Sequence, residues 1–332
     1  MKPIQSNKIR SKSFSKFFRR NSMILIALVL IIAALTIFTD TFMTKNNILS
    51  VMRQISVDSV LAFGMAMVLI IGCIDLSVGS VLALSSCICV TLINEGIPVA
   101  VALLLTLLFG GFCGLINGLI ATFTTIPSFI ITLATQQVFR GAAYLMTNGK
   151  AIMCYNDQFN AIGTGYVGPI PILMLVILVC LVFIGVLLNK TRFGRGMYAI
   201  GGNRSAAIYA GVSVKKITTL VFVLTGVFSA MAGIMAAARV YSGQPAAGEG
   251  YEGNAIAAAV LGGVSFNGGI GTAGGVVIGV LIIGFMNNGL NMLHVTSYWQ
   301  IIIKGLLILL AVYLDTLRSN KRLHKKKVKN EK

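Results

Sequence analysis

The chain has 332 residues, is 56% hydrophobic and only 11% charged, and carries a formal charge of +18. Soluble domains carry about 25% charged residues, so the composition argues against an ordinary soluble protein. Nor is the charge a nucleic-acid footprint: 7 of the 27 Lys and Arg lie in 1–20, 6 between Lys190 and Lys216, and 8 from Arg318 onward, punctuating apolar runs instead of forming one basic groove.

In chain order, a basic, Ser-rich segment (1–22) precedes an apolar run that is too long for a cleaved signal peptide, and it reads as an uncleaved first helix. A span needs roughly 20 apolar residues. The candidate helices are 23–39, 53–71, 77–94, 98–121, 128–146, 170–188, 217–238, 254–265, 272–292 and 298–315, the eighth being short for a full span. Basic clusters at both ends and at 190–216 place all three on the cytoplasmic face, which requires an even number of crossings on either side of the central island. The expectation is an all-α polytopic membrane protein of about ten transmembrane helices, some short or broken, with both termini cytoplasmic. It divides into a basic segment 1–22, a transmembrane domain 23–317 and a basic tail 318–332. The 36 glycines suit close helix packing and helix breaks, the latter expected at GCIDLSVG and GGVSFNGG, where they would line a cavity.

The central island, KTRFGRGMYAIGGNRSAAIYAGVSVKK, holds six cations and no acid. It also looks folded. Asn203 or Ser205 suits a helix start, AAIYA follows, and Gly211 suits the stop. A short helix on the cytoplasmic face is a place where another protein can push.

Catalytic chemistry is missing. The two histidines, His294 and His324, are isolated, and no phosphate loop of the form G-x-x-x-x-G-K-[ST] is present. The chain therefore reads as a transport subunit and not an enzyme, with no cofactor of its own; ATP would be bound by a partner chain. Five of the six cysteines sit in apolar runs and read as buried small hydrophobes. Asp58 and Asp75 are the embedded acids. Asp75 either lines a solute path or caps the helix that follows it, and the cap is the simpler reading. Arg239 and Lys304 read as snorkelling charges near span ends. Glu249 and Glu252 read as residues of a solvated outer loop, with docking of a binding protein as the alternative. Ser77, Asn117, Asn287 and Asn288 are candidates for a solute path; hydrogen bonding across helices is the plainer role for the amides.

Five segments in order carry a resemblance: GCIDLSVGSVLALSS (72–86), ITLATQQVFRGAAYLMTNG (131–149), TRFGRGMYAIGGNRSAAIYAGVSVKKI (191–217), GVFSAMAGIMAAARVYSGQPAAGEGYEGNAIAAAVLGGVSFNGG (226–269) and MNNGLNMLHVTSYWQIIIKGLLILLAVYLD (286–315). The chain resembles the permease subunits of bacterial ABC-type sugar importers, the ribose permease group. The resemblance implies a homodimer in the bacterial inner (plasma) membrane, with ATP-binding cassette proteins beneath it and a solute-binding protein outside. It also implies import of a monosaccharide such as ribose by alternating access. Carried over by residue, Gly201, Gly202, Asn203, Ala206, Ala207 and Gly211 match the loop that couples to the ATPase. Asp75, Leu76, Ser77 and Gly79 match the GIDLSVG segment, and Tyr251, Glu252, Asn254, Ala255 and Ile256 fall on GYELDAIAA. Two departures stand out: Gly72-Cys73 where the family has Gly-Gly, and Gly253-Asn254 where it has Leu-Asp. The alternatives are an ABC permease for a quorum-signal furanose, a nucleoside or a branched-chain amino acid, or an ion-coupled secondary carrier. The carrier is disfavoured by the scarcity of embedded acids.

Overall fold

The computed structural model describes residues 24–330; the basic N-terminal segment 1–22 lies outside them. A helix stands at each of the ten apolar segments: α1 (Ile24–Phe38), then α2 (Lys45–Ile70), α3 (Val78–Asn94), α4 (Val99–Phe123), α5 (Ser128–Thr147), α7 (Ile172–Lys190), α10 (Val214–Val240), α11 (Tyr251–Leu261), α12 (Ala273–Met292) and α13 (Ser297–Asn330). Among the described residues, six of these are long and apolar enough to cross a membrane: α2, α4, α7, α10, α12 and the Ser297–Leu317 part of α13. The chain is thus a multi-pass, almost wholly helical membrane protein. Shorter helices fill the connections: α6 (Asp157–Thr164), and α8 (Arg192–Gly202) with α9 (Arg204–Tyr209) in the basic island.

Proline and small polar residues punctuate these helices. Pro98, Pro127 and Pro171 stand immediately before α4, α5 and α7, where a missing N–H costs nothing. Side chains cap α6 (Asn156), α8 (Thr191), α9 (Asn203) and α12 (Thr272) by accepting from N–H groups of the first turn.

Among the six span-length helices α2 has the most buried apolar stretch, surrounded by α7, α10, α11 and α12. The most extensive packing lies between α4 and α10. A Cβ at Gly114 would stand 2.2 Å from the Phe222 carbonyl oxygen, and one at Gly226 would stand 2.1 Å from that of Gly110. The two backbones are therefore in contact, the geometry that small residues permit in lipid. The outward faces of α4, α7 and α13 stay apolar, with Leu108, Phe112, Val179, Val182, Leu306 and Leu309 exposed.

The 27 residues of α10 extend about 40 Å and set two ends of the molecule. At one end lie the island and the C-terminal turns of α2 and α4. At the other, α6 packs on α10, and two-residue strands pair antiparallel: β1 (Ile152–Met153) with β4 (Ser242–Gly243), and β2 (Tyr166–Val167) with β3 (Ile170–Pro171). This second end is held by Arg140 of α5, which donates to the carbonyls of Pro245 (2.6 Å) and Ala247 (2.7 Å), and by Arg53, which donates to Thr164 O (2.9 Å) and Tyr166 Oη (2.6 Å).

Candidate functional site

The two expected helix breaks are present, and they meet. Residues 71–77 leave the helix after α2, and 262–272 form an irregular loop between α11 and α12. Buried backbone N–H groups need partners. In the first break, Ile74 N–H bonds Ser128 Oγ (3.1 Å), Leu76 N–H bonds Thr132 Oγ1 (3.0 Å) and Ser77 N–H bonds Asp75 Oδ1 (2.9 Å). The loop between α11 and α12 is tied to the end of α2 by Gly269 N–H to Ile70 O (2.8 Å). It is tied to α13 by Asp315, whose Oδ2 accepts from Ser265 Oγ (3.1 Å) and Phe266 N–H (2.9 Å). Asp315, inside α13, therefore clamps a break.

Asp75 is buried, and its Oδ1 also accepts from Ser77 Oγ–H at 2.6 Å. Ser77 Oγ in turn accepts from Asn117 Nδ2 on α4 at 2.8 Å, while Asn117 Oδ1, buried, has no partner. The carboxylate holds Ser77, the residue just before α3, instead of capping the first turn of that helix. Leu76 and Gly79 flank this relay, and Gly79 lies against Gly248 and Glu252.

The basic island supplies the third party. Asn203 Oδ1 accepts from Ala206 N–H (2.9 Å), and Gly211, at φ +77, takes the left-handed turn after α9. A Cβ at Gly201 would stand 1.9 Å from Ile70 O and 2.4 Å from Gly269 N; Gly202 is exposed. One backbone junction thus joins α8, the end of α2 and the second break, and Gly268 is packed against Gly201 and Gly72 there. On α9, Ala207 is buried, Ala206 is exposed, and Ile208 (56%) and Tyr209 (91%) project away from the protein.

A second polar site lies toward the far end. A cavity of about 260 Å³ is lined from α2 by Ser50 and Gln54, from α10 and α11 by Arg239, Tyr251 and Asn254, and from α12 and α13 by Asn287, Asn288, Asn291, Gln300 and Lys304. Gln54 accepts from the Arg239 guanidinium and lies 3.5 Å from both Asp58 carboxylate oxygens. Asn288 exchanges amide hydrogen bonds with Asn47 at 2.9 and 3.1 Å.

The four residues that the sequence offers as candidates for a solute path therefore fall at two depths, Ser77 with Asn117 near the island and Asn287 with Asn288 in this cavity. Arg239 and Lys304 do not snorkel; they face the cavity. Glu252 is not in a solvated loop either. It is half-buried in the first turn of α11, with Gln136 Nε2 at 3.4 Å, whereas Glu249 is exposed in the preceding turn. The cavity's remaining polar lining was missed in the sequence. Its signal was present as polar pairs four residues apart within apolar helices: Asn287/Asn291 and Gln300/Lys304, with Gln54 of the lining paired to Asp58 behind it.

Residues 47–312 match the protein family described as branched-chain amino acid transport system / permease component. The chain is 43% identical over 296 residues to the ribose import permease protein RbsC of Bacillus subtilis (strain 168), covering 89% of this chain and 92% of that protein. It is 39% identical to RbsC of Escherichia coli (strain K12), over 91% and 95% of the two chains. It is 36% identical to the D-allose transport system permease protein AlsC of the same strain, over 92% and 94%. No solved structure matches the chain.

Proposed function

The chain belongs to the permease family of ABC importers, and on that premise we propose that it is the membrane-spanning subunit that imports a monosaccharide, with ribose the first choice. The observation that carries this reading is the 39–43% identity to ribose import permeases along about nine-tenths of the chain. The family description speaks of branched-chain amino acids, but the relatives at this identity are named for ribose, D-allose and L-arabinose.

In this reading the protein lies in the bacterial plasma membrane with about ten crossings and the island on the cytoplasmic face. Two copies stand over two ATP-binding cassette subunits, and a solute-binding protein docks outside. ATP is bound and split by the cassettes, so this chain performs no chemistry. Its task is to turn a push on α9 into a change in the membrane.

The geometry suits that task. Tyr209 and Ile208 give the cassette a grip, and the Asn203 cap holds α9 as a unit. The Gly201 junction passes displacement to Ile70 and Gly269 through backbone contact, where no flexible side chain absorbs it. The first break begins at that junction and carries Asp75 and Ser77 to Asn117, and the second passes through it at Gly268 and Gly269. Packed interfaces tend to have discrete arrangements and do not deform continuously, so a shift of this junction suits a two-state switch.

The solute class is tested in proteoliposomes holding the permease, its cassette subunit and its binding protein. ATP-driven uptake of labelled D-ribose is expected, competed by D-allose or L-arabinose more strongly than by leucine. Uptake of leucine with no uptake of any monosaccharide contradicts the sugar assignment.

A further inference from the structure

We infer that the cavity between α2, α11, α12 and α13 is a binding site for the transported solute inside each protomer, and that its ligand is a small polyhydroxyl compound. The inference rests on the permease reading and adds the place and chemistry of contact.

Three observations carry it. First, the cavity is strongly polar although it is built on membrane-spanning helices. Two of them contribute a pair one turn apart, Asn287 with Asn291 from α12 and Gln300 with Lys304 from α13, and α2 adds Ser50 and Gln54, whose amide lies 3.5 Å from the Asp58 carboxylate behind it. In an apolar surround each unpaired amide or ammonium costs several kcal/mol, about 2–7 kcal/mol for a neutral group. Such a concentration is stable only where water or a polar ligand fills the space.

Second, the lining divides into held and free groups. Gln54 is fixed by Arg239, Asn288 by Asn47, and Gln300 by Asn291 Oδ1 (2.8 Å) and Val295 O (2.9 Å). The side chains of Asn254, Asn287 and Lys304 make no hydrogen bond to another described residue, and the buried Oδ1 of Asn287 is left without a partner. Fixed walls with a few free heads are what a recognition site needs. Packing amides, by contrast, would be bonded to one another as Asn47 and Asn288 are.

Third, the free heads match hydroxyls. Lys304 only donates, Asn254 and Asn287 each donate and accept, and a hydroxyl can do both. Arg239 and Lys304 act electrostatically on Asp58, so one carboxylate already offsets part of the positive charge, and the ligand need not be an anion. The volume of about 260 Å³ holds about nine waters at ~30 Å³ each, enough for a pentose and residual water.

The test uses the whole transporter, with cassette and binding protein, in proteoliposomes. Asn287→Cys and Asn254→Cys are each exposed from outside to a membrane-impermeant, cationic methanethiosulfonate. The wild type is the control; five of its cysteines are buried and Cys73, half-buried, lies in the break at the island end. In a variant that still imports D-ribose, labelling is expected to stop uptake, and saturating D-ribose with its binding protein is expected to slow labelling at least fivefold. D-mannitol, with no binding protein to deliver it, should leave labelling unchanged. If D-ribose uptake persists in either variant but the sugar leaves its labelling rate unchanged, or neither cysteine reacts, the site assignment is overturned while the permease reading stands. Should both variants lose uptake, Lys304→Arg is expected to retain it and Lys304→Met to lose at least tenfold; equal uptake by the two overturns the assignment. Absence of monosaccharide import by the wild-type complex overturns the permease reading itself.

Discussion

Ser77 connects three groups that the sequence shows only separately. Its hydroxyl donates to Asp75 and accepts from Asn117, so one atom joins the first break to α4. Ser77→Ala leaves the buried Asp75 carboxylate with only the backbone N–H of residue 77 and strands the buried Asn117 amide, whereas replacing both partners of a bond is far milder. We predict that Ser77→Ala lowers stability by about 1–3 kcal/mol, read as a lower unfolding temperature of the purified permease, with a smaller loss for Ser77→Thr. An unchanged unfolding temperature in Ser77→Ala contradicts this account of the relay. Asp75 and Asn117 stand out in the sequence because polar residues in apolar runs always do, but nothing local says that they meet. Arg239 and Lys304 were misplaced for the same reason. Near a span end, a long cationic side chain that snorkels and one that turns inward have the same sequence pattern. The i, i+4 polar pairs were the available clue, since they give α2, α12 and α13 each one polar stripe.

At the scale of elements, the proposed coupling rests on the short helix α9. Ala207 is buried, so a bulky replacement there tests packing; the face offered to a partner is Ala206, Ile208 and Tyr209. Tyr209→Asp is predicted to leave the protein folded in the membrane while lowering ATP-driven uptake at least tenfold, with ATP hydrolysis by the complex no longer stimulated by the loaded binding protein. Normal uptake by this variant rules out α9 as the contact. At the Gly201 junction, Gly201→Ala places a methyl group on the backbone of α2 and of the second break, and overpacking of this kind costs about 1–3 kcal/mol. It is predicted to reduce uptake more than stability, compared with Gly202→Ala at a position open to space. Equal effects at the two positions contradict a transmitting role for the junction. Helix positions were legible from hydropathy alone, and α9 from its cap and its stop glycine. The start of α2 was not, because Lys45, Asn46 and Asn47 hide eight helical residues ahead of the apolar run. Nor was α6, whose eight residues are held by packing on α10 and α7 and not by a hydrophobic run of their own.

For the whole molecule, the arrangement is a buried central helix, two broken segments that meet at the island end, and a polar cavity toward the opposite end. In the proposed reading the energy for transport enters from the partner cassettes. The exposed face of α9, joined through Gly201 to both breaks, is the surface we propose receives it. The direct measurement of that claim is uptake of labelled D-ribose into proteoliposomes of two kinds. One holds the permease with its cassette subunit and binding protein; the other holds the permease alone under a proton or sodium gradient. The account predicts concentrative uptake in the first that requires ATP hydrolysis, and none in the second. Gradient-driven accumulation by the permease alone, without cassette or ATP, would contradict it.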